Sequence, residues 1–500
     1  MEYILTLDVG TTSVKCALFD DELRQVHVGI AEYSLITPKT HIIEVEPDTY
    51  LEKIHDCIKA MAQRGAPIYQ VRYIVATTQG ETLIPVDSAG TPLSNAIVWL
   101  DSRAEAEGAQ LAQIYSKDAF YHTTGLPGID GYTPVSKLKK LSHEFSANGQ
   151  KIGKYLLLED YLIWKLTGHM VTEKSLLSST GYFNIRRDCL WKEILTDASV
   201  KVEQIPDVLE CGETVGKILP EMANYLGVDS EAVIVTGAMD QVCGAVGCGN
   251  ISDGMLHETT GTAMVLGAST TTPNFDTHLD ITIYRHALSG LYLLMPVCRT
   301  AAIVQKWFVE QFCKEEAEIA AQRDISVYDL LSEFAQQVKT EETPLLLPYF
   351  NGSLTPCSIE SARGAFWNIG LDTTKYHFAR AIPEGIAFML RENTEMLCRM
   401  GMSFRSLFSL GGPSKNPFWC QMKADIIGKD IIAAPGMEST SFGAACLAAV
   451  VSGYATDLEQ ASKMYRDYIT FRPNTAMAEK YNTKYEQYKK LVKCAAEFYI

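Results

Sequence analysis

Asp8-Val9-Gly10-Thr11-Thr12-Ser13-Val14-Lys15 is the stretch on which the reading of this chain turns. The runs on either side, Tyr3 to Leu7 and Cys16 to Phe19, are short and apolar, which predicts two buried strands joined by the octapeptide. The turn offers a carboxylate at a strand end, a glycine that lets a ligand approach the backbone, three hydroxyls and a cation. A phosphate group needs donors of that kind. The same residues also suit an ordinary hairpin, where Gly, Thr and Ser are common and Asp accepts local backbone bonds. The spacing is not that of a Walker A loop. Half a chain later Glu258-Thr259-Thr260-Gly261-Thr262 repeats the pattern between two further short runs. Two such hairpins, each opening a similar domain, would face their turns toward one cleft.

Outward from these turns, the runs Val71 to Ala76, Ala96 to Leu100 and Ala232 to Val235 also read as buried strands. Helical spacing appears over Tyr50 to Met61, over Leu157 to Leu166 with Gly168 as a stop, and over Ile386 to Met400 with Gly401 as a stop. Alternation of this kind predicts an α/β architecture. Near the C-terminus Tyr481, Tyr485, Tyr488, Val492 and Ala495 mark the inner face of a packing helix. The patch Gly244, Gly247, Gly249, Asn250 and Asp253-Gly254 places a domain boundary near residue 250, dividing the chain into 1–248 and 249–500.

Composition narrows the function classes. With 500 residues, 47% of them hydrophobic and 21% charged, the chain can bury the cores of two to four domains. Lys and Arg number 44 against 60 Asp and Glu, a net charge of −16 that opposes contact with phosphate backbones or anionic lipid. Neither nucleic acid nor a membrane is an expected partner. The 13 cysteines are scattered, with no Cys-x-x-Cys pair, which fits a reducing cytoplasm. The opening residues lack the basic region of a signal peptide, and Phe442 to Val451 is too short to span a bilayer.

Four further segments carry groups suited to chemistry. Thr78-Gln79-Gly80-Glu81-Thr82 and Trp99-Leu100-Asp101-Ser102-Arg103 follow predicted strands. A polyol could bond Gln79, Glu81 and Asp101 there while Trp99 packs its carbon face; the alternative is a solvated loop with a surface contact between Asp101 and Arg103. In Ala232 to Gln241 a buried strand passes through a loop into a helix from Val242, with Asp240 at the turn as either an N-cap or a catalytic carboxylate. In Phe408 to Pro417 an apolar run passes through Gly411-Gly412 into a helix, with Asn416 as N-cap and Pro417 in its first turn.

Taken in order, these segments resemble the FGGY carbohydrate kinases, and the match spans nearly the whole chain. The resemblance implies an actin-like, or ribonuclease H-like, fold of two α/β domains around a central cleft. Sugar would bind mainly on the N-terminal side, ATP and Mg²⁺ mainly on the C-terminal side. It further implies Asp8 as the metal-associated carboxylate and Thr11, Thr12, Ser13 and Lys15 as the phosphate turn. Asp240 would be the catalytic base, Gly261 and Thr262 the second phosphate turn, and Gly411, Gly412 and Asn416 the nucleotide pocket. Gln79, Gly80, Glu81, Trp99, Asp101, Asp240 and Gln241 would meet the acceptor. Relatives of this family are often homodimers, so a dimer is expected by analogy.

Departures bear on the acceptor. Gly80 stands where glycerol kinases carry arginine, and Gly80-Glu81-Thr82 lacks the methionine and histidine of xylulokinases. Tyr132 to Leu138 begins like a family signature, but Lys140 takes its tryptophan position, and Pro413 replaces a glycine of the adenine loop. The expected activity is ATP-dependent phosphorylation of a small ketose or polyol, xylulokinase-like before glycerol or gluconate kinase. A carboxylate at Glu81 suits hydroxyl donors better than an acid. The rivals are an actin-like ATPase and a sugar sensor that transfers nothing.

Overall fold

The computed structural model describes residues 2–434, 438–464 and 467–499. Strands Tyr3–Val9 and Ser13–Phe19 form the first hairpin, with Asp8 opposite Lys15, and Gln25–Glu32 continues antiparallel. On the other side of Tyr3–Val9, strands Val71–Thr78 and Val233–Met239 join in parallel, and Thr214–Lys217 closes that edge. Most residues of these parallel strands are buried on both faces. That burial is why they read as unbroken apolar runs rather than as alternation.

The second half builds the same arrangement again. Leu256–Thr260 and Met264–Thr270 make the hairpin, and Tyr292–Met295 and Thr282–Arg285 extend it antiparallel. Ser406–Gly411 and Asp430–Ala433 join in parallel beyond Leu256–Thr260, and Ile469–Phe471 caps that edge. In each sheet the opening strand sits at the junction between an antiparallel and a parallel side. The protein is thus a two-domain α/β structure whose lobes share one topology, as the paired turns predicted.

Two helices join the lobes. Asp240–Cys248 follows directly on Val233–Met239, and Ser439–Ser452 packs against it. A Cβ on Gly247 would stand 1.7 Å from the Ser439 carbonyl oxygen, and one on Gly443 would stand 1.9 Å from that of Cys243. No side chain fits at either position, so the backbones touch. Lys15 adds an ion pair to Glu438 at 2.5 Å. The edge strand Thr282–Arg285 also reaches across: Ile283 N–H donates to Gly125 O at 2.8 Å and Arg285 Nε to Asp188 at 2.8 Å.

A smaller sheet in the first lobe, ordered Ile36–Lys39, Ile42–Val45, Ala96–Ile97, Leu83–Val86, Lys154–Leu157, carries the loops that begin at Gln79 and Val98. Here the strand expected to reach Leu100 ends at Ile97, because Asp101 N–H bonds back to Val98 O at 2.9 Å and turns the chain. The helix expected from Ile386 begins at Lys375 and passes through Pro383. Proline removes one helical hydrogen bond, but burial from Ala379 to Leu390 overrides that loss. The C-terminal helix Thr475–Tyr499 buries Tyr481, Tyr485 and Tyr488 against Phe388, as its spacing predicted. No helix among the described residues is long and apolar enough to cross a membrane.

Candidate active site

Register brings the first lobe's carboxylates together. In the pairing of Tyr3–Val9 with Val71–Thr78, Asp8 lies opposite Thr77 and Val9 opposite Thr78, while Met239 also lies opposite Thr78. Asp8, the segment Gln79 to Glu81 and Asp240 therefore emerge at one end of three neighbouring parallel strands, whose spacing is about 4.8 Å. Ligands of open α/β sheets gather at such carboxyl ends.

These groups share one electrostatic environment. Burial pushes Asp240 up to about 7, with the Asp8 charge adding to the rise. Asp8 rises to about 6 through burial, against the pull of Lys15 and with a further push from Glu438 of the second lobe. Glu81 rises to about 7 through burial, with Lys137 opposing and Asp130 and Asp240 reinforcing. Like charges in a half-buried site resist joint ionisation, so each carboxyl holds its proton nearer neutrality than a free one.

A break in the ladder aims Asp240. The pairing of Val233–Met239 with Val71–Thr78 slips between Val235 and Ala238, leaving backbone groups for side chains to satisfy. Gly237 N–H donates to Glu159 Oε1 at 2.8 Å, Met239 N–H to Ser175 Oγ at 3.0 Å, and Thr77 Oγ1 to Ala238 O at 2.8 Å. A Cβ on Gly237 would stand 1.6 Å from Ala76 O, so the strand passes too close for any other residue. The loop expected before the helix is absent: Met239 is the N-cap and Asp240 the first helical residue, with Oδ1 accepting from Gln241 N–H at 2.6 Å.

In the loop after Val71–Thr78, Gln79 is only 4% exposed, and neither its amide oxygen nor its nitrogen has a hydrogen-bond partner among the described residues. Buried amides are rarely left so. Gly80 is packed close, since a Cβ there would meet Met239 Sδ at 3.0 Å, and Glu81 follows at φ 68°. Trp99 donates Nε1–H to Thr11 Oγ1 at 3.0 Å, tying this region to the turn of the first hairpin. Asp101 makes the contact with Arg103 that was the alternative reading, but in the interior rather than at the surface. It is fully buried, and its oxygens accept from Ile43 N–H at 2.6 Å and from Arg103 Nε and Nη2 at 2.8 and 2.7 Å, so it fastens the loop.

The second lobe supplies a cavity of about 430 Å³ lined by Gly261, Thr262, Gly412, Asn416 and Trp419, within the size range of nucleotide-sized ligands. Gly411, at φ 83°, ends the strand that leads into it. Asn416 does cap Pro417–Ile427, accepting from Trp419 N–H at 3.2 Å, while its Nδ2 donates to Ser332 Oγ at 2.8 Å. Around the first turn, Thr11, Thr12 and Ser13 stay at least partly accessible, and Lys15 is held by Glu438. For a metal, Asp8 offers a carboxylate with Glu438 and Asp240 near, and among the described residues no three His, Cys, Asp or Glu enclose an ion. Such a donor set fits Mg²⁺, which keeps waters and phosphate oxygens as ligands.

Residues the motifs did not name complete the site. Lys137, fully buried, donates to Val98 O at 3.2 Å and Trp99 O at 3.3 Å and is pushed down to about 8 by burial. Tyr284 comes from the second lobe, and burial together with Glu81 and Asp240 raises its hydroxyl. Lys137 lies in the signature-like segment and Glu159 in the helix stopped by Gly168, so both were within view; Glu438 and Tyr284 carried no local signal.

Two α/β lobes thus carry carboxylates at strand ends on one side and a glycine-walled cavity on the other. Residues 3–247 match the N-terminal domain of the FGGY family of carbohydrate kinases, and residues 257–452 match its C-terminal domain. The chain belongs to the FGGY family and is a carbohydrate kinase, with ATP as phosphoryl donor. It is 27% identical over 496 residues to the xylulose kinase of Bacillus subtilis (strain 168), covering 98% of this chain and 97% of that protein. It is 28% identical over 487 residues to the gluconokinase of the same organism, covering 96% and 94%. Two crystal structures from Lactobacillus acidophilus, a ligand-bound xylulose kinase and a gluconate kinase, each align with a TM-score of 0.87 at 25% identity, covering 100% of this chain and 99% of theirs.

Proposed function

We propose that this kinase transfers the γ-phosphoryl group of ATP to a hydroxyl of a small neutral ketose or polyol, xylulose-like in shape, with Asp240 accepting the hydroxyl proton. The observation that carries the acceptor reading is the buried, unpartnered Gln79 amide beside Glu81 and Asp240. Its donor and acceptor atoms together match a hydroxyl-rich ligand.

The charge of the pocket argues for neutrality. Asp8, Glu81, Asp130 and Asp240 act on one another there, whereas Lys137 spends donors on Val98 and Trp99 carbonyls. An aldonic acid would add another negative charge to that field.

In the proposed reaction the nucleotide lies along Gly261, Thr262, Gly411, Gly412 and Asn416, with its terminal phosphates toward Thr11, Thr12, Ser13 and Lys15. Gln79, Glu81, Trp99 and Gln241 hold the acceptor so that one hydroxyl lies against Asp240. A carboxyl poised near 7 is well matched to take that proton at neutral pH as the new O–P bond forms. Mg²⁺ beside Asp8 would neutralise phosphate charge when bound. The lobes would close about the crossing of the helices that start at Asp240 and Ser439, near the proposed domain boundary at residues 248 and 249.

The test is ADP release measured over xylulose, ribulose, erythritol, glycerol and gluconate. Turnover with a neutral acceptor and at least about 100-fold lower kcat/KM with gluconate is expected. A preference for gluconate would overturn the neutral-acceptor reading, and ADP release at one rate whatever the acceptor would indicate an ATPase.

A further inference from the structure

Beneath the second turn lies a charged cluster for which transfer itself has no use. Glu258 and Lys423 are both fully buried and form an ion pair. Glu258 Oε1 also accepts from the Ser409 hydroxyl and Oε2 from the Thr260 hydroxyl, while Lys423 Nζ donates to Ser409 Oγ at 3.1 Å. Lys423 Nζ lies 5.9 Å from the Trp419 ring centroid, one helical turn back on the same face.

These residues come from three walls of the nucleotide cavity. Glu258 and Thr260 lie on the strand that runs into Gly261 and Thr262, and Ser409 on the strand that runs into Gly411 and Gly412. Lys423 lies on the helix whose start carries Asn416 and Trp419. The two strands are already hydrogen-bonded in parallel, with Thr260 opposite Gly411. The helix has no ladder to fix its distance from them, and the Lys423 bonds to Glu258 and Ser409 supply that link.

Burying an ion pair is a poor way to gain stability, because well-packed apolar residues of similar volume often serve as well or better. What the pair adds is geometry. A charge-assisted bond has a narrow range of length and direction, whereas apolar packing lets a helix slide.

We propose that Glu258 and Lys423 are positioning residues for the nucleotide: together they hold the second phosphate turn, the Gly411-Gly412 turn and the Asn416 helix start at the separation ADP and ATP require. The inference rests on the nucleotide site proposed above. It goes beyond that reading by assigning the affinity of that site to residues that do not touch the ligand.

The test compares the full-length protein with Glu258→Leu/Lys423→Met, an apolar pair that leaves no charge buried alone, and with Ser409→Ala, which removes one link and little volume. ADP binding is measured by calorimetry, acceptor KM by steady-state kinetics and the melting midpoint by scanning calorimetry. The double variant is expected to bind ADP about tenfold more weakly, and Ser409→Ala about threefold, with acceptor KM within twofold of the unaltered protein. Unchanged ADP affinity at a shifted melting midpoint would overturn the proposal in favour of a purely structural pair. Equal loss of ADP and acceptor affinity would overturn it as well, since general loosening would then explain both. If the unaltered protein failed to bind ADP, the nucleotide site itself would fall and this inference with it. Normal ADP binding by all three proteins would sink the inference alone.

Discussion

The two opening hairpins share a topology and differ by one residue in where their carboxylate stands. In the first, Asp8 precedes the turn glycine, Gly10, by two positions; in the second, Glu258 precedes Gly261 by three. Side chains alternate along a strand, so that single step moves the carboxylate to the other face. The positions two before the glycine, Asp8 and Thr259, are partly or fully accessible, whereas those three before it, Leu7 and Glu258, are buried. The first lobe thus leaves its acid partly accessible at the strand end, and the second turns its acid inward onto Lys423. On the proposed function, one architecture yields a reacting hairpin and a holding hairpin.

The sharpest challenge to this contrast lies at Asp240, the proposed base beside Asp8. Asp240→Asn is expected to lower kcat about 10³- to 10⁴-fold with acceptor KM within a few-fold, read by steady-state kinetics. A near-normal kcat would remove the base from the account. Next in size is the direct comparison of equivalent positions. Asp8→Asn should lower kcat about 10²-fold, whereas Thr259→Ala should leave it within about twofold. Similar losses in both variants would show that the hairpins do not divide the labour as described.

A smaller effect is expected behind the reacting side. Glu159→Leu strands the Gly237 N–H and should reduce kcat about tenfold, while Glu159→Gln, whose amide oxygen can still accept that bond, retains most of the rate. Equal damage from both would mean that the charge, not the hydrogen bond, matters. The smallest effect is on stability. Asp240 is raised to about 7 in the folded protein, so it binds its proton more tightly there than when unfolded. The stability gained is complete below the unfolded value near 4 and disappears as pH climbs through 7. Asp240→Asn should therefore melt higher than the unaltered protein at pH 8, by about 1–2 kcal/mol in stability, and show little difference at pH 4. A stabilisation confined to pH 4 would contradict the assigned shift.

What the sequence revealed follows from how local each feature is. The two turns, the helix cap at Asn416 and the polar segment at Gln79 are contiguous stretches, and their residue types declare themselves without knowledge of the fold. The reach of Val233–Met239 to the very start of the helix at Asp240 was not legible, because the ladder slip at Val235 depends on Glu159, Ser175 and Thr77, which lie 60 or more residues away in sequence. The pairing of Asp101 with Arg103 was legible but its burial was not, for a related reason: Glu44 and Ile43, which hold the pair inside, belong to a strand paired only in three dimensions. Helical spacing also missed the first turns of Lys375–Arg399, since Pro383 is a local stop signal that burial overrides. Glu258 and Lys423 are separated by 165 positions, and nothing in either neighbourhood points to the other.

The central claim is that a hydroxyl held by the first lobe lies between Asp240 and a terminal phosphoryl delivered by the second. A crystal structure of the complex with a non-hydrolysable ATP analogue and the best acceptor tests it most directly. The account predicts an Asp240 carboxylate oxygen about 2.6–3.2 Å from an acceptor hydroxyl, with the γ-phosphorus on the opposite side of that oxygen. An acceptor bound with every hydroxyl out of reach of Asp240, or a γ-phosphoryl pointing away from it, would contradict the account.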